Sequence, residues 1–395
     1  MTEPSQAEPN PPAIVVMAYD RPSSLDRLLR SLDRAEIEGT VDLVISVDGG
    51  GANNRAVTAL AEGFRWDHGI KEVAHHDHLG LVGHFHRCGD LSERFGSVVL
   101  LEDDLIVGPT FHRGAAAAVA AVAADDRVAG VCLAAPWFDG YRHLPFSPIL
   151  DGSAGWYLQV PWFHGMAWTA DQWGHYRRWL SAETPDRRSA IVIHAAFDRL
   201  DQDEWFPDAV RYLVANERFY LLPREARATN TGAAGQHFDH DSDFFQVPVQ
   251  LAAGPAEHIV PLDDALAVYD DHLEPLPDVA KRLCPDLADL DLTVDLLAVR
   301  DPATITTEWV LTTRPVTGAA RTWGLHMRPP MANLAADTPG SGIALAKRAA
   351  LRTGRLADAA TAAKLGAYAA NGRPPGIRSA IRGAVGRSVG AWFDG

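Results

Sequence analysis

Residues 96–109 read "GSVVLLEDDLIVGP". Val98, Val99, Leu100 and Leu101 make a continuous apolar run with the length and branching of a strand buried on both faces. Glu102, Asp103 and Asp104 interrupt it before Leu105, Ile106 and Val107 resume. We read 96–107 as one core strand carrying three carboxylates near its end. Burying like charges is costly unless a partner uses them, so this stretch bears on fold and function together.

Two earlier segments have the same form. "AIVVMAY" (13–19) and "VDLVISVDGG" (41–50) are apolar runs that end in polar, acidic loops. After the first comes "DRPSSLDRLLRSLDRA", with Leu25, Leu28, Leu29 and Leu32 at helical spacing. Strands alternating with helices predict an α/β, Rossmann-like sheet, largely parallel and covered on both faces. Ligands of such sheets sit beyond the carboxyl ends of the strands. Tyr19-Asp20-Arg21, Asp48-Gly49-Gly50 and Glu102-Asp103-Asp104 are therefore expected to converge on one crevice.

The chain has 395 residues and a formal charge of −15. Between Ser341 and Gly395 nine basic residues face two acidic ones, so this tail carries +7 and the remainder −22. An acidic body disfavours nucleic acid, whereas a basic tail suits an anionic surface. Cys88, Cys132 and Cys284 have no CxxC spacing, which suits a reducing compartment and a cytoplasmic protein. The opening "MTEPSQAEPNPP" is acidic and proline-rich, and reads as a disordered lead-in (1–12) rather than a signal peptide. Gly114 to Ala124 is too short to cross a bilayer and reads as a buried helix. From 151 to 250 lie six of the eleven tryptophans, a composition found both in sugar or nucleotide sites and in cores. "TTEWVLTTRP" (306–315) reads as a strand and 341–370 as an alanine-rich helix.

A hard divalent cation, Mn²⁺ or Mg²⁺, needs only one or two protein carboxylates beside a diphosphate. In extended chain, alternate residues face opposite sides, so Asp104 is placed to hold a metal while Asp103 faces a sugar hydroxyl. Taken alone, an EDD triplet is equally a solvated turn or a helix cap.

The ordered set "VVMAYDRPSSLDRLLRSL", "LVISVDGG", "HLGLVGHFHRCGDLSERFGSVVLLEDDLIVGPTF" and "WFHGMAWTADQW" resembles bacterial inverting glycosyltransferases of the GT-A fold. More distantly it is similar to the N-acetylglucosaminyltransferases that start complex and O-mannosyl glycans. The resemblance covers about residues 13–250. It implies a mixed central sheet flanked by helices in a catalytic domain (13–255). An accessory region (256–340) and a basic helical tail (341–395) follow. It also implies a divalent metal, a nucleotide-sugar donor, with a UDP-sugar expected, and a glycan, lipid-linked or small-molecule acceptor.

Position by position, the resemblance assigns Arg21 and Asp48 to the nucleoside, Asp103 to the ribose and Asp104 to the metal. Glu102 would face the sugar or support the loop. His78 and His84 fall in the segment lying over the donor, within a stretch that holds five histidines. Single displacement requires a base opposite the leaving group. "DQDEWFPD" (201–208) offers Asp203 first, with Glu204 and Asp208 as alternatives, ahead of Pro223, Asn230, Gly232 and His237. The same residues also suit a negatively charged helix start. His237, with His240 beside it, is the expected late addition to the metal site, on a glycine-rich loop able to fold over the donor.

The tail segment "IRSAIRGAVGRSVGAWF" (377–393) puts Ile377, Ile381, Val385 and Trp392 on one helical face, a pattern for peripheral contact with the inner face of a membrane. A nucleotidyltransferase or a non-catalytic glycan-binding protein on the same fold remain alternatives.

Overall fold

The computed structural model describes residues 11–200, 203–232, 245–252, 254 and 258–370. They form two compact units. One comprises residues up to 135, 159–192 and 200–261, and the other 136–158, 193–199 and 262 onward.

In the first unit, seven strands form a mixed sheet. They are β1 (Ala13–Ala18), β2 (Leu43–Val47), β3 (Lys71–His75), β4 (Ser97–Glu102), β6 (Val128–Cys132), β7 (Met166–Thr169) and β8 (Phe219–Pro223), and β5 (Leu105–Val107) lies apart. Their order is β8-β6-β7-β4-β1-β2-β3. Helices flank the sheet, which makes the α/β, Rossmann-like class plain. The expectation of a largely parallel sheet needs one amendment: β7 runs antiparallel to both β4 and β6.

Helix α1 (Pro22–Asp33) starts with Pro22 in its first turn, where no amide proton is missed, and buries Leu25, Leu28, Leu29 and Leu32. The alanine-rich run forms α4 (Phe111–Val122), after α2 (Asn54–Gly63) and α3 (Gly80–Gly89). Helix α5 (Ala170–Ala182) opens with a capping box, Thr169 Oγ1 accepting from Gln172 N at 3.2 Å and Gln172 Oε1 accepting from Thr169 N at 3.0 Å. Helix α6 (Phe206–Ala215) follows the acidic 201–208 segment. Most tryptophans of the middle region are core: Trp156, Trp162, Trp168, Trp173 and Trp205 are all buried.

The strand read over 96–107 is two strands. Chain direction changes at Asp103-Asp104, and β5 leaves the main sheet to pair antiparallel with β9 (Ala228–Asn230). The ladder with β1 ends at Glu102, opposite Met17, and Asp103 and Asp104 form the turn. This removes the argument from alternating strand faces, because Asp103 and Asp104 are not in extended chain.

In the second unit, strands Leu292–Asp295, Trp309–Thr312, Ile343–Lys347 and Arg321–Trp323 form a four-stranded sheet in that order. The helix expected over 341–370 is corrected here. Ile343–Lys347 is a strand paired on both sides, and the helix begins only at Arg355. Sheet pairing and the burial of Ile343, Ala344, Leu345 and Ala346 outweigh alanine's helix preference. No helix among the described residues is long and apolar enough to cross a membrane. The tail helix expected at 377–393 lies outside the described residues.

Candidate functional site

The carboxyl ends of β1 and β4 are neighbours, since the strands pair parallel with Met17 opposite Glu102. The loop after β1 therefore lies beside the acidic turn. Arg21 reaches across with a forked guanidinium, Nη2 2.5 Å from Asp103 Oδ1 and Nη1 3.1 Å from Asp104 Oδ2. Asp103 also accepts from the Tyr19 amide at 3.3 Å. Its side chain is 4% exposed, against 25% for Asp104 and 32% for Arg21.

Electrostatics here are crowded. Burial, then repulsion from Asp104, push the Glu102 carboxyl up to about 8, against the pull of Arg21. Asp103 rises to about 6, again mainly through burial, with Arg21 opposing. Burial works against the Arg21 charge, but Asp103, Asp104 and Glu102 together outweigh it and raise its pKa. Three carboxylates thus share one guanidinium, leaving excess negative charge at the turn.

Asp48 is built differently. It is 2% exposed, and its two oxygens accept from the backbone amides of Leu79 (2.7 Å) and Gly80 (3.1 Å) at the start of α3. It thereby pins the β3–α3 connection to the β2 loop. His78 is exposed, with Nδ1 2.9 Å from the Gly49 carbonyl and 3.3 Å from Asp48 Oδ2. Gly50, at φ +89°, lets that loop turn back under His78. His84 is buried instead. Its Nε2 lies 2.8 Å from Ser46 Oγ, which His76 Nε2 shares at 2.9 Å, so one hydroxyl joins the two rings. Burial lowers His84 to about 4, keeping it neutral.

The three candidate bases occupy distinct settings. Asp203 is exposed in a turn. Glu204 is partly buried and adds to the repulsion felt by Glu102, which places it within electrostatic reach of the acidic turn. Asp208 is engaged by two arginines, Arg188 Nε at 2.9 Å and Arg211 Nη1 at 3.5 Å. Trp205 fixes this segment by stacking on Phe85 of α3, with ring centroids 4.1 Å apart and planes 11° from parallel. Beyond β8, which ends at Pro223, β9 carries Asn230, and the Thr231 amide donates to the Asp104 carbonyl at 2.9 Å. The late motif thus adjoins the acidic turn up to Gly232. His237 and His240 lie outside the described residues.

Sequence reasoning missed His164. The signal was present in "WFHGMAW", a polar residue between aromatic ones just before β7. It is 1% exposed and sits among Trp162, Phe163 and Phe245, with centroids 5.7, 4.9 and 6.5 Å away. Neither ring nitrogen has a hydrogen-bond partner among the described residues. Burial lowers its pKa to about 4, and the Asp104 carboxylate is near enough to act in the opposite sense.

Among the described residues, one group of three presents ligand atoms close enough together to gather a cation, and it lies away from the acidic turn in sequence. Asp270, Asp271 and His272, in the second unit, present ligand atoms within 4.8 Å of one another. Their oxygens are already engaged: Arg300 pairs with Asp270, and Asp271 accepts from His194 N at 2.7 Å and lies 2.8 Å from His272 Nδ1.

No protein-family model matches the chain, and no curated protein does. It matches 191 chains of solved structures, among them S. aureus TarS, with a TM-score of 0.32 and 11% identity over 56% of this chain and 37% of that one. The chain thus spans little more than a third of the TarS length.

Proposed function

We propose that the protein is an inverting, divalent-metal-dependent glycosyltransferase. It would move a sugar from a nucleotide donor, a UDP-sugar in our reading, to a hydroxyl of a glycan, lipid-linked or small-molecule acceptor. The observation that carries this reading is the turn at the end of β4, where Glu102, Asp103 and Asp104 crowd against the Arg21 loop at the carboxyl edge of a mixed sheet. That donor set is hard, oxygen-rich and short of positive charge, which fits Mn²⁺ or Mg²⁺.

Asp104, the more exposed of the paired carboxylates, would hold the metal, and Asp103 the ribose. Arg21 and the backbone of the Asp48 loop would face the nucleoside. When bound, the metal neutralises charge on the departing diphosphate. Glu204 is our choice of base over Asp203 and Asp208, because Asp208 is neutralised by two arginines and Asp203 points to solvent. In the displacement, Glu204 takes the acceptor hydroxyl proton while the acceptor oxygen forms its bond to the anomeric carbon. The bond from that carbon to the diphosphate oxygen breaks, and its electron pair leaves with the diphosphate.

The test is release of UDP from UDP-sugars in the presence of Mn²⁺, with and without acceptors. Asp104→Ala should abolish both turnover and Mn²⁺-dependent UDP binding. Glu204→Gln should cut turnover about 10²- to 10⁴-fold while UDP still binds. A wild-type chain that neither binds nor turns over any sugar nucleotide refutes the proposal.

A further inference from the structure

A buried imidazole with neither nitrogen partnered among the described residues is an unusual thing for a folded protein to keep, because buried polar groups almost always find a partner. His164 is in this position, and aromatic rings rather than polar groups surround it.

Its placement is set by the sheet. Strand β7 runs antiparallel to β4, with Met166 opposite Leu100, so the residues preceding β7 meet the end of β4 where the acidic turn begins. Gly165, at φ +86°, packs so closely on Leu133 of the chain after β6 and on Leu101 of β4 that a Cβ would fall 2.7 and 3.2 Å from their side chains. That close approach brings the backbone just before β7 to the end of β4, where the acidic turn begins. Among the described residues, Asp104 acts electrostatically on the ring.

We propose that His164 is a second protein ligand, with Asp104, of the divalent metal, and that the site accordingly takes Mn²⁺ or a similar transition ion in preference to Mg²⁺. This rests on the reading of Asp104 given above and adds a residue and a metal class to it. Mg²⁺ favours oxygen ligands and strict octahedral geometry, whereas imidazole suits the later first-row ions. The ring lies among Trp162, Phe163 and Phe245, and its two nitrogens, without a partner among the described residues, are what it could offer a cation.

The experiment uses the full chain with UDP and Mn²⁺. Binding is followed through the free-ion electron paramagnetic resonance signal, and the bound ion is examined by electron spin echo for ¹⁴N modulation. We expect imidazole ¹⁴N modulation in the wild type, its loss in His164→Gln, and Mn²⁺ affinity about tenfold or more weaker in His164→Ala and His164→Gln. Mg²⁺ affinity in the same variants should change little. Bound Mn²⁺ without ¹⁴N modulation overturns the inference even if the variants fail to fold. If Asp104→Asn then still abolishes binding, the Asp104 reading stands alone. A wild type that binds no Mn²⁺ with UDP removes both.

Discussion

Replacing Arg21 by Gln removes the guanidinium that Asp103 and Asp104 share. Asp103 is almost fully buried and would lose its closest counter-charge, held at 2.5 Å. Breaking a buried pair from one side costs about 3–5 kcal/mol. Arg21 is a third exposed and Asp104 a quarter, so water screens part of the loss and about 2 kcal/mol is the figure to expect. For a unit of this size, 1 kcal/mol corresponds to about 2–4 °C, so the melting temperature in EDTA should fall by about 4–8 °C. Mn²⁺ at millimolar concentration should recover most of that fall, because a cation at the turn replaces the missing charge. Arg21→Lys keeps a charge without the fork and should fall between the two. Scanning fluorimetry in EDTA and in Mn²⁺ reads all of this. An Arg21→Gln melting temperature equal to that of the wild type in EDTA would refute the view that the acidic turn depends on a counter-ion.

Three further outcomes are expected. Trp205→Ala removes a buried ring stacked on Phe85 and should cost about 3–5 kcal/mol, read as a lower denaturation midpoint; sugar transfer should fall with it because the ring anchors the segment holding Glu204. His84 is held neutral down to about 4, below its value in the unfolded chain, so the unfolded state binds the proton first. Stability should be insensitive to this residue above pH 6.5 and should fall by up to about 3 kcal/mol between there and pH 4; His84→Asn should flatten that part of the pH profile, and an unchanged slope would contradict it. A chain ending at Asn371 should fail to float with anionic vesicles that carry the full-length chain, and equal flotation would remove the membrane role read from 377–393.

Three strands of the sheet, β1, β2 and β4, were legible because they are apolar runs with acidic ends. The residues of β1, β2 and β4 are consistent at every level, from branching to burial. Two features escaped for the same reason, that long-range pairing decides them. The break at Asp103 depends on β9, more than a hundred residues later, offering β5 a partner outside the main sheet. The strand Ile343–Lys347 has a helical composition and is strand only because Trp309–Thr312 and Arg321–Trp323 pair on either side. His164 escaped differently. One histidine among aromatic residues reads as core, and only the absence of any partner for its nitrogens among the described residues marks it out.

Asp48 and Asp104 show why a shared sequence pattern does not assign a shared role. Each ends a core strand, and each was a candidate contact for the same donor. Asp48 gives both oxygens to consecutive backbone amides, so withdrawing them would release the start of α3. Its carboxylate therefore holds the loop, and each oxygen keeps a further lone pair that it could offer a ligand at that edge. Asp104 gives an oxygen to a side chain on a flexible stem, a partner that can turn away without disturbing any secondary structure. One positive charge can take the place of another at Asp104, whereas the partners that pin Asp48 are neutral backbone amides. The same asymmetry separates their substitutions: Asp48→Asn should lower stability whether or not nucleotide is present, whereas Asp104→Asn should leave the EDTA melting temperature near that of the wild type and remove only the rise that Mn²⁺ brings.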